Sequence, residues 1–185
     1  MLKSYKDKTP KINPAAFVAE TAVIIGDVEI GEKASIWYGV AIRADINHIR
    51  IGKETNIQEN TVIHVDLNDR GLGDCATIIG DRVTVGHGAI LHGCKIEDDC
   101  LIGMGATVLS GARIGAGSVV AAGALVKEGQ QIPPRSMVMG MPAEVKRQLP
   151  EEAVEKIRAS ARHYVELAEE YKNNDFYRGR QERLR

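Results

Sequence analysis

The chain has 185 residues, 24 Lys and Arg against 25 Asp and Glu, and a formal net charge of −1, which gives no electrostatic footing for nucleic acid or an anionic membrane surface. No apolar run approaches the roughly 20 residues of a membrane-spanning helix, and the opening MLKSYKDKTP does not read as a signal peptide, so a cytoplasmic place is expected. Three cysteines (Cys75, Cys94, Cys100) without a CxxC pair argue against a disulfide framework. Aromatics are only 4% while glycines number 19, so a core here must be filled by small and branched aliphatics.

From the N-terminus an aliphatic recurs every sixth residue: Ile12, Val18, Ile24, Ile30, Ile36, Ile42. The period resumes at Ile51, Ile57 and Ile63, then at Ile79, Val85 and Leu91, and finally from Ile96 through Ile102, Val108, Ile114, Val120, Val126, Ile132 and Val138. Three irregularities separate the blocks: extra residues around His48, a polar insert over 66–75 (DLNDRGLGDC), and one residue too few between Leu91 and Ile96. Small residues stand four places after many of the aliphatics, as at Ala34, Thr55, Ala89, Ala106, Ser118 and Ala124. Period six fits neither a helix nor plain strand alternation. It fits a solenoid in which each side is one short strand and each corner a turn, three sides making a triangular coil. The spacing resembles the hexapeptide-repeat left-handed parallel β-helix, an exception to right-handed crossovers. An ordinary β-sandwich, with irregular spacing of roughly 8–12 residues, is the weaker alternative.

The prism is expected over 1–145. Past GMPAEV the pattern changes. Pro150 before Glu151 and Glu152 suits a helix start. Val154, Ile157, Ala161, Val165, Ala168 and Tyr171 then recur at three or four, predicting an amphipathic helix over 150–172 that packs along the prism or a neighbouring subunit. The tail 173–185 is expected to be loosely ordered.

If the 66–75 insert bulges out of a single side, the sides starting at Ile42, Ile63 and Leu91 stack on one face. The next residues, Arg43, His64 and His92, then form a ladder with neighbours about 4.8 Å apart. His87 lies one side earlier and faces another way. Two imidazoles a strand spacing apart can share one metal ion, whereas a catalytic zinc wants three protein ligands and an open position. In a threefold trimer, His87 of a neighbour can complete the site. Read alone, a surface histidine is ordinarily solvated or hydrogen-bonded, which is the reading for His48 and His163. Arg43 with Asp45 is ordinarily a plain ion pair, Gln58 a turn cap, and each cysteine a small buried thiol.

The stretches AIRADINHIRIGKETNIQENTVIHV and VTVGHGAILHGCKIEDDCLIGMGATVLSGARIG closely resemble the γ-class carbonic anhydrases, in their shorter bacterial branch. The resemblance runs from about Ile12 to the terminal helix. It implies a homotrimer of left-handed β-helices that hydrates CO2 reversibly to bicarbonate by a metal-bound hydroxide at subunit interfaces. It implies His64, His87 and His92 as ligands of Zn2+, with Fe2+ or Co2+ also suited to three imidazoles. Arg43 and Asp45 are implied to pair across the interface, Asn56 and Gln58 to orient water and CO2, and Tyr164 to face the pocket. Glu59 stands where the family usually has aspartate. The glutamates that pass protons to solvent in the archaeal prototype are not evident, and Ile46 directly follows Asp45, so low turnover is expected. Two other readings stay open: an acyl-CoA thioesterase or CoA-dependent acyltransferase of the hexapeptide superfamily, and a non-catalytic trimer that binds a metal or siderophore.

Overall fold

Six residues per side leave room for one inward aliphatic, a short extended run and a turn, and the chain folds accordingly. The computed structural model describes residues 1–68 and 71–173, within which lie twenty strands, most of two or three residues, and one helix, Glu151–Asn173. Asp69 of the insert and the tail beyond residue 173 lie outside the described residues. Strands pair in parallel with their counterparts one coil away, as in Ile96↔Ile114↔Ile132 and Ile102↔Val120↔Val138. Backbone N–H and C=O groups of one coil are thus satisfied by the next. The result is a left-handed parallel β-helix of about eight turns with a C-terminal helix.

Three faces follow from the pairing. The first carries Ile24, Ile42, Ile63, Leu91, Val108 and Val126. The second carries Ile30, Ile51, Ile79, Ile96, Ile114 and Ile132. The third carries Val18, Ile36, Ile57, Val85, Ile102, Val120 and Val138. Nearly all these side chains are buried in one continuous core, and the small residues Ala34, Thr55, Ala89, Ala106, Ser118 and Ala124 are buried at the corners between them. With no ring inside to take up slack, truncating one Ile to Ala leaves a cavity and costs roughly 2–5 kcal/mol.

The pairing also shows where the irregularities go. Ile42 to Ile51, Ile63 to Ile79 and Leu91 to Ile96 all cross from the first face to the second. The extra residues, the insert and the missing residue therefore stack along a single edge, and the other two edges keep the regular turn.

The helix lies on its own chain's third face, against the strands Phe17–Val18, Ser35–Ile36, Asn56–Ile57 and Thr84–Val85. Val154, Ile157, Ala161 and Ala168 are buried there, while Val165 and Tyr171 are half-buried. Two devices hold it. Trp37 packs against Phe17 and against the helix's Tyr164 and Tyr171, with ring centroids 5.1 to 5.7 Å away. Asp99, buried at a corner, accepts from Arg82 Nε at 2.7 Å and from Arg158 Nη2 of the helix at 3.0 Å.

Two strands lie outside the periodic pattern, Leu2–Lys3 and Ala143–Gln148. Leu2–Lys3 adds a parallel strand against Ile24–Ile25. Ser136–Gly140 and Ala143–Gln148 form an antiparallel hairpin at the far end, where the repeat stops and another coil is not available to pair the backbone. All three cysteines are free and buried, and burial pushes the Cys94 and Cys100 thiols up to about 12. His163 is exposed on the helix and His48 is half-buried. Among the described residues no helix is long and apolar enough to cross a membrane.

Candidate metal centre

His64 and His92 stand in register on adjacent strands, Val62–His64 and Ile90–His92. Arg43 continues their ladder, one residue past Ile42, which pairs with Ile63. The two imidazoles face each other, with His64 Nδ1 3.2 Å from His92 Nε2 and ring centroids 5.2 Å apart. Their outer nitrogens are engaged. His64 Nε2 lies 2.9 Å from Asp45 Oδ1, and His92 Nδ1 lies 2.9 Å from Ser110 Oγ. Asp45 Oδ2 accepts from Arg43 Nη1 within the same chain.

Burial alone would raise the pKa of Asp45, but its hydrogen bonds with His64 and Arg43 outweigh that and hold the carboxyl below the usual carboxylate range. An ionised carboxylate only accepts. His64 Nε2 therefore carries a ring proton, and in the neutral ring the lone pair is left on Nδ1, the nitrogen that faces His92. Two nitrogens bound to one tetrahedral zinc at 2.0–2.1 Å are about 3.3–3.4 Å apart. The observed 3.2 Å is close to that spacing and is also the length of a hydrogen bond between the two rings.

His87 follows the strand Thr84–Val85 on the third face, where Gly88 (φ +66) turns the corner toward Ile90. Its Nδ1 lies 2.6 Å from Glu59 Oε2, again a carboxylate on one ring nitrogen, which leaves Nε2 as the outer donor atom. The same face holds a chain of amides. Asn56 Nδ2 donates to Thr84 Oγ1 at 3.0 Å, and Gln58 Nε2 donates to Asn56 Oδ1 at 3.1 Å. Both amides are buried. With one N–H of its NH2 on Asn56, the Gln58 amide is oriented and keeps Oε1 as its acceptor and a second N–H. Tyr164 packs on Trp37, and burial, followed by the nearby charge of Glu59, raises its phenol above the usual tyrosine range.

The predicted residues thus fall into two groups. Arg43, Asp45, His64 and His92 share the first face; Asn56, Gln58, His87 and Tyr164 gather on the third. Among the described residues of one chain, no three His, Cys, Asp or Glu side chains come together as a metal-binding group. Beside the histidine ladder the first face bears an outward apolar row, Ala41, Val62 and Ile90, of which Val62 and Ile90 are each 44% exposed. A cleft of about 270 Å³ lined by Lys6, Lys8, Asp45, Ile46 and His48 opens next to Asp45.

The sequence reading missed the anchors. Glu59 lies 28 residues before His87, the same offset as the paired Ile57 and Val85, and Ser110 lies 18 after His92. Coil arithmetic applied to polar residues would have found Glu59, whereas Ser110 stands one place past Leu109, the coil partner of His92, and is reached only in the folded structure.

Known proteins resemble the chain in repeat, sequence and shape. Residues 93–128 match the family model "Bacterial transferase hexapeptide (six repeats)", and 76–106 match "Hexapeptide repeat of succinyl-transferase". The chain is 46% identical over 88% of its length to gamma carbonic anhydrase 2, mitochondrial, of Arabidopsis thaliana, and spans 59% of that relative. It is 42% identical to a carbonic anhydrase of Geobacillus kaustophilus, covering 93% of this chain and 91% of the other. A crystal structure of a candidate acetyltransferase from Bacillus cereus superposes with a TM-score of 0.87 at 41% identity, covering 92% of this chain and 96% of that one.

Proposed function

The chain belongs to the γ-class carbonic anhydrase family of hexapeptide-repeat β-helix proteins, and from that membership we propose that it is a metal-dependent carbonate dehydratase, interconverting CO2 and bicarbonate as a homotrimer with metal centres shared between subunits. The observation that carries the reading is the facing pair His64 Nδ1 and His92 Nε2 at 3.2 Å, each ring anchored by its other nitrogen.

In this reading His64 and His92 hold the ion from one subunit and His87 from the next, since one chain keeps His87 on another face. The exposed row of Ala41, Val62 and Ile90 beside the ladder is the surface that a second copy covers. Zn2+ is the ion proposed, with Fe2+ and Co2+ accepted by the same donors. When bound, such an ion supplies a hydroxide nucleophile at neutral pH by lowering the pKa of water to about 7. Asp45, itself braced by Arg43, keeps the His64 proton on Nε2. Glu59 does the same for Nδ1 of His87. The Thr84–Asn56–Gln58 chain aims Gln58 Oε1 as an acceptor, which orients a water by one of its protons and leaves the oxygen lone pair for CO2. Tyr164 closes the helix side of that amide chain.

Acyl transfer is the second reading, favoured by the hexapeptide transferase models and the Bacillus cereus relative. It asks for one histidine base and no metal, whereas here three histidines each have one nitrogen anchored. Elemental analysis of anaerobically purified protein, with CO2 hydration and acetyl-CoA consumption assayed on the same sample, separates the two. One metal per chain and hydration that is lost in His87→Ala are expected. Metal-free protein that turns over acetyl-CoA would overturn the proposal.

A further inference from the structure

Counted from the inward aliphatic, Asp45 and Asp66 occupy the same place in successive coils, the third residue after Ile42 and after Ile63. Asp45 bonds His64 directly. Asp66, which opens the polar insert, reaches the next histidine through a serine: Ser110 Oγ donates to Asp66 Oδ2 at 2.8 Å, and the same oxygen lies 2.9 Å from His92 Nδ1. Ser110 is only 2% exposed. Asp66 is held in place by its backbone N–H on Cys75 O at 3.0 Å, by Asn47 Nδ2 on its carbonyl at 3.2 Å and by Leu67 N on Oδ1 at 2.9 Å. The meeting point depends on Gly93. A Cβ there would sit 3.1 Å from Ser110 Oγ and 3.2 Å from Asp66 Cβ.

We propose that Asp66 and Ser110 form a positioning relay that fixes the tautomer and aim of His92, so that the insert helps set the affinity of the site for its divalent ion; this rests on the metal reading above. A serine hydroxyl has one proton. Given to Asp66, it leaves the oxygen to accept, so His92 must carry its proton on Nδ1 and keep the Nε2 lone pair. Nε2 is the atom that faces His64. Without the relay the ring can hold its proton on Nε2, pointing N–H at the ion's place, or rotate away from it. Each facing histidine then has its own carboxylate from the coil before it, one direct and one through an intervening hydroxyl, the arrangement that tunes metal-ligating imidazoles.

The test uses the full-length protein stripped of metal and titrated with Co2+ against a competing chelator, read by the cobalt ligand-field absorption. Ser110→Ala and Asp66→Ala are each expected to weaken Co2+ binding by about 10–100-fold and to alter the absorption band, with far-UV circular dichroism unchanged. Because the relay is one path, Ser110→Ala/Asp66→Ala should lose no more than either single variant. Asp66→Asn, whose carbonyl still accepts from the hydroxyl, should fall between wild type and Asp66→Ala, and it carries the test if Ser110→Ala does not fold. Affinity and band unchanged in both alanine variants, or losses that multiply in the double variant, would overturn the relay. Failure of the underlying reading looks different: wild type takes up no stoichiometric cobalt, or His92→Ala takes up as much as wild type.

Discussion

Replacing Asp99 by Asn should loosen the helix from the prism. The Asp99 side chain is 9% exposed, and its carboxylate accepts from Arg82 Nε at 2.7 Å and Arg158 Nη2 at 3.0 Å, so it bridges a corner turn and the helix. Hydrogen bonds to charged partners contribute about 1.5–3 kcal/mol each. The two arginine side chains are 34% and 31% exposed, so they rehydrate when released, and Asn retains one acceptor. These facts favour the low end, a loss of about 2–3 kcal/mol at pH 7. The change should also depend on pH in a definite direction. Burial opposes ionisation of Asp99, but the hydrogen bonds and charges of Arg82 and Arg158 outweigh it and hold the carboxyl below the usual range. A depressed native pKa stabilises above the unfolded value of about 3.9, and the contribution is lost as pH falls through the native pKa. Wild type and Asp99→Asn should therefore differ fully at pH 7 and converge in acid. Denaturant unfolding reads the difference through Trp37, the chain's one tryptophan, which lies against Tyr164 and Tyr171 of the helix. A difference under about 0.5 kcal/mol at pH 7, the scale of an ordinary surface change, or one that stays constant into acid, would refute the charge-based account.

Asp45→Asn can donate its amide to His64 Nε2 and so admit the tautomer with the proton on Nδ1. Metal affinity should fall by about 10–100-fold while the fold persists, and unchanged competition against a chelator would contradict this. Ile90→Asp places a charge in the exposed apolar row; light scattering after size exclusion should show smaller species that hold metal poorly. A trimer with full metal content would mean that the subunit surface lies elsewhere. Cys94 and Cys100, with thiols pushed up to about 12, should carry roughly one thiolate in 10⁴ at pH 8. Neither should react with a maleimide until denaturant is added, and rapid labelling of the native protein would rule the burial out.

Much of this architecture was legible because its cause is local. An aliphatic every six residues fixes which side chain turns inward, and the coil follows, so stacking of His64 on His92 could be counted from Ile63 and Leu91. The same count put His87 on another face. The helix was legible from its Pro150 start and its three-four spacing, beginning at Glu151 and ending one residue beyond the expected boundary. The strands Leu2–Lys3 and Ala143–Gln148 were not, because neither carries the repeat and both are set by the backbone edges that the prism leaves open.

The site divides in the same way. Sequence alone determined the coil positions of the three histidines, which stack His64 on His92 and leave His87 on a different face. Tertiary structure decided which nitrogen of each ring is anchored and by what: Asp45 for His64, Ser110 and Asp66 for His92, Glu59 for His87. It also seated the helix on its own prism and gathered three separate irregularities on one edge. The difference is one of range and resolution. Burial of an aliphatic repeats with the chain and tolerates small shifts, whereas a hydrogen bond between residues 18 to 44 apart depends on rotamers and on a few tenths of an ångström, which only the folded packing sets.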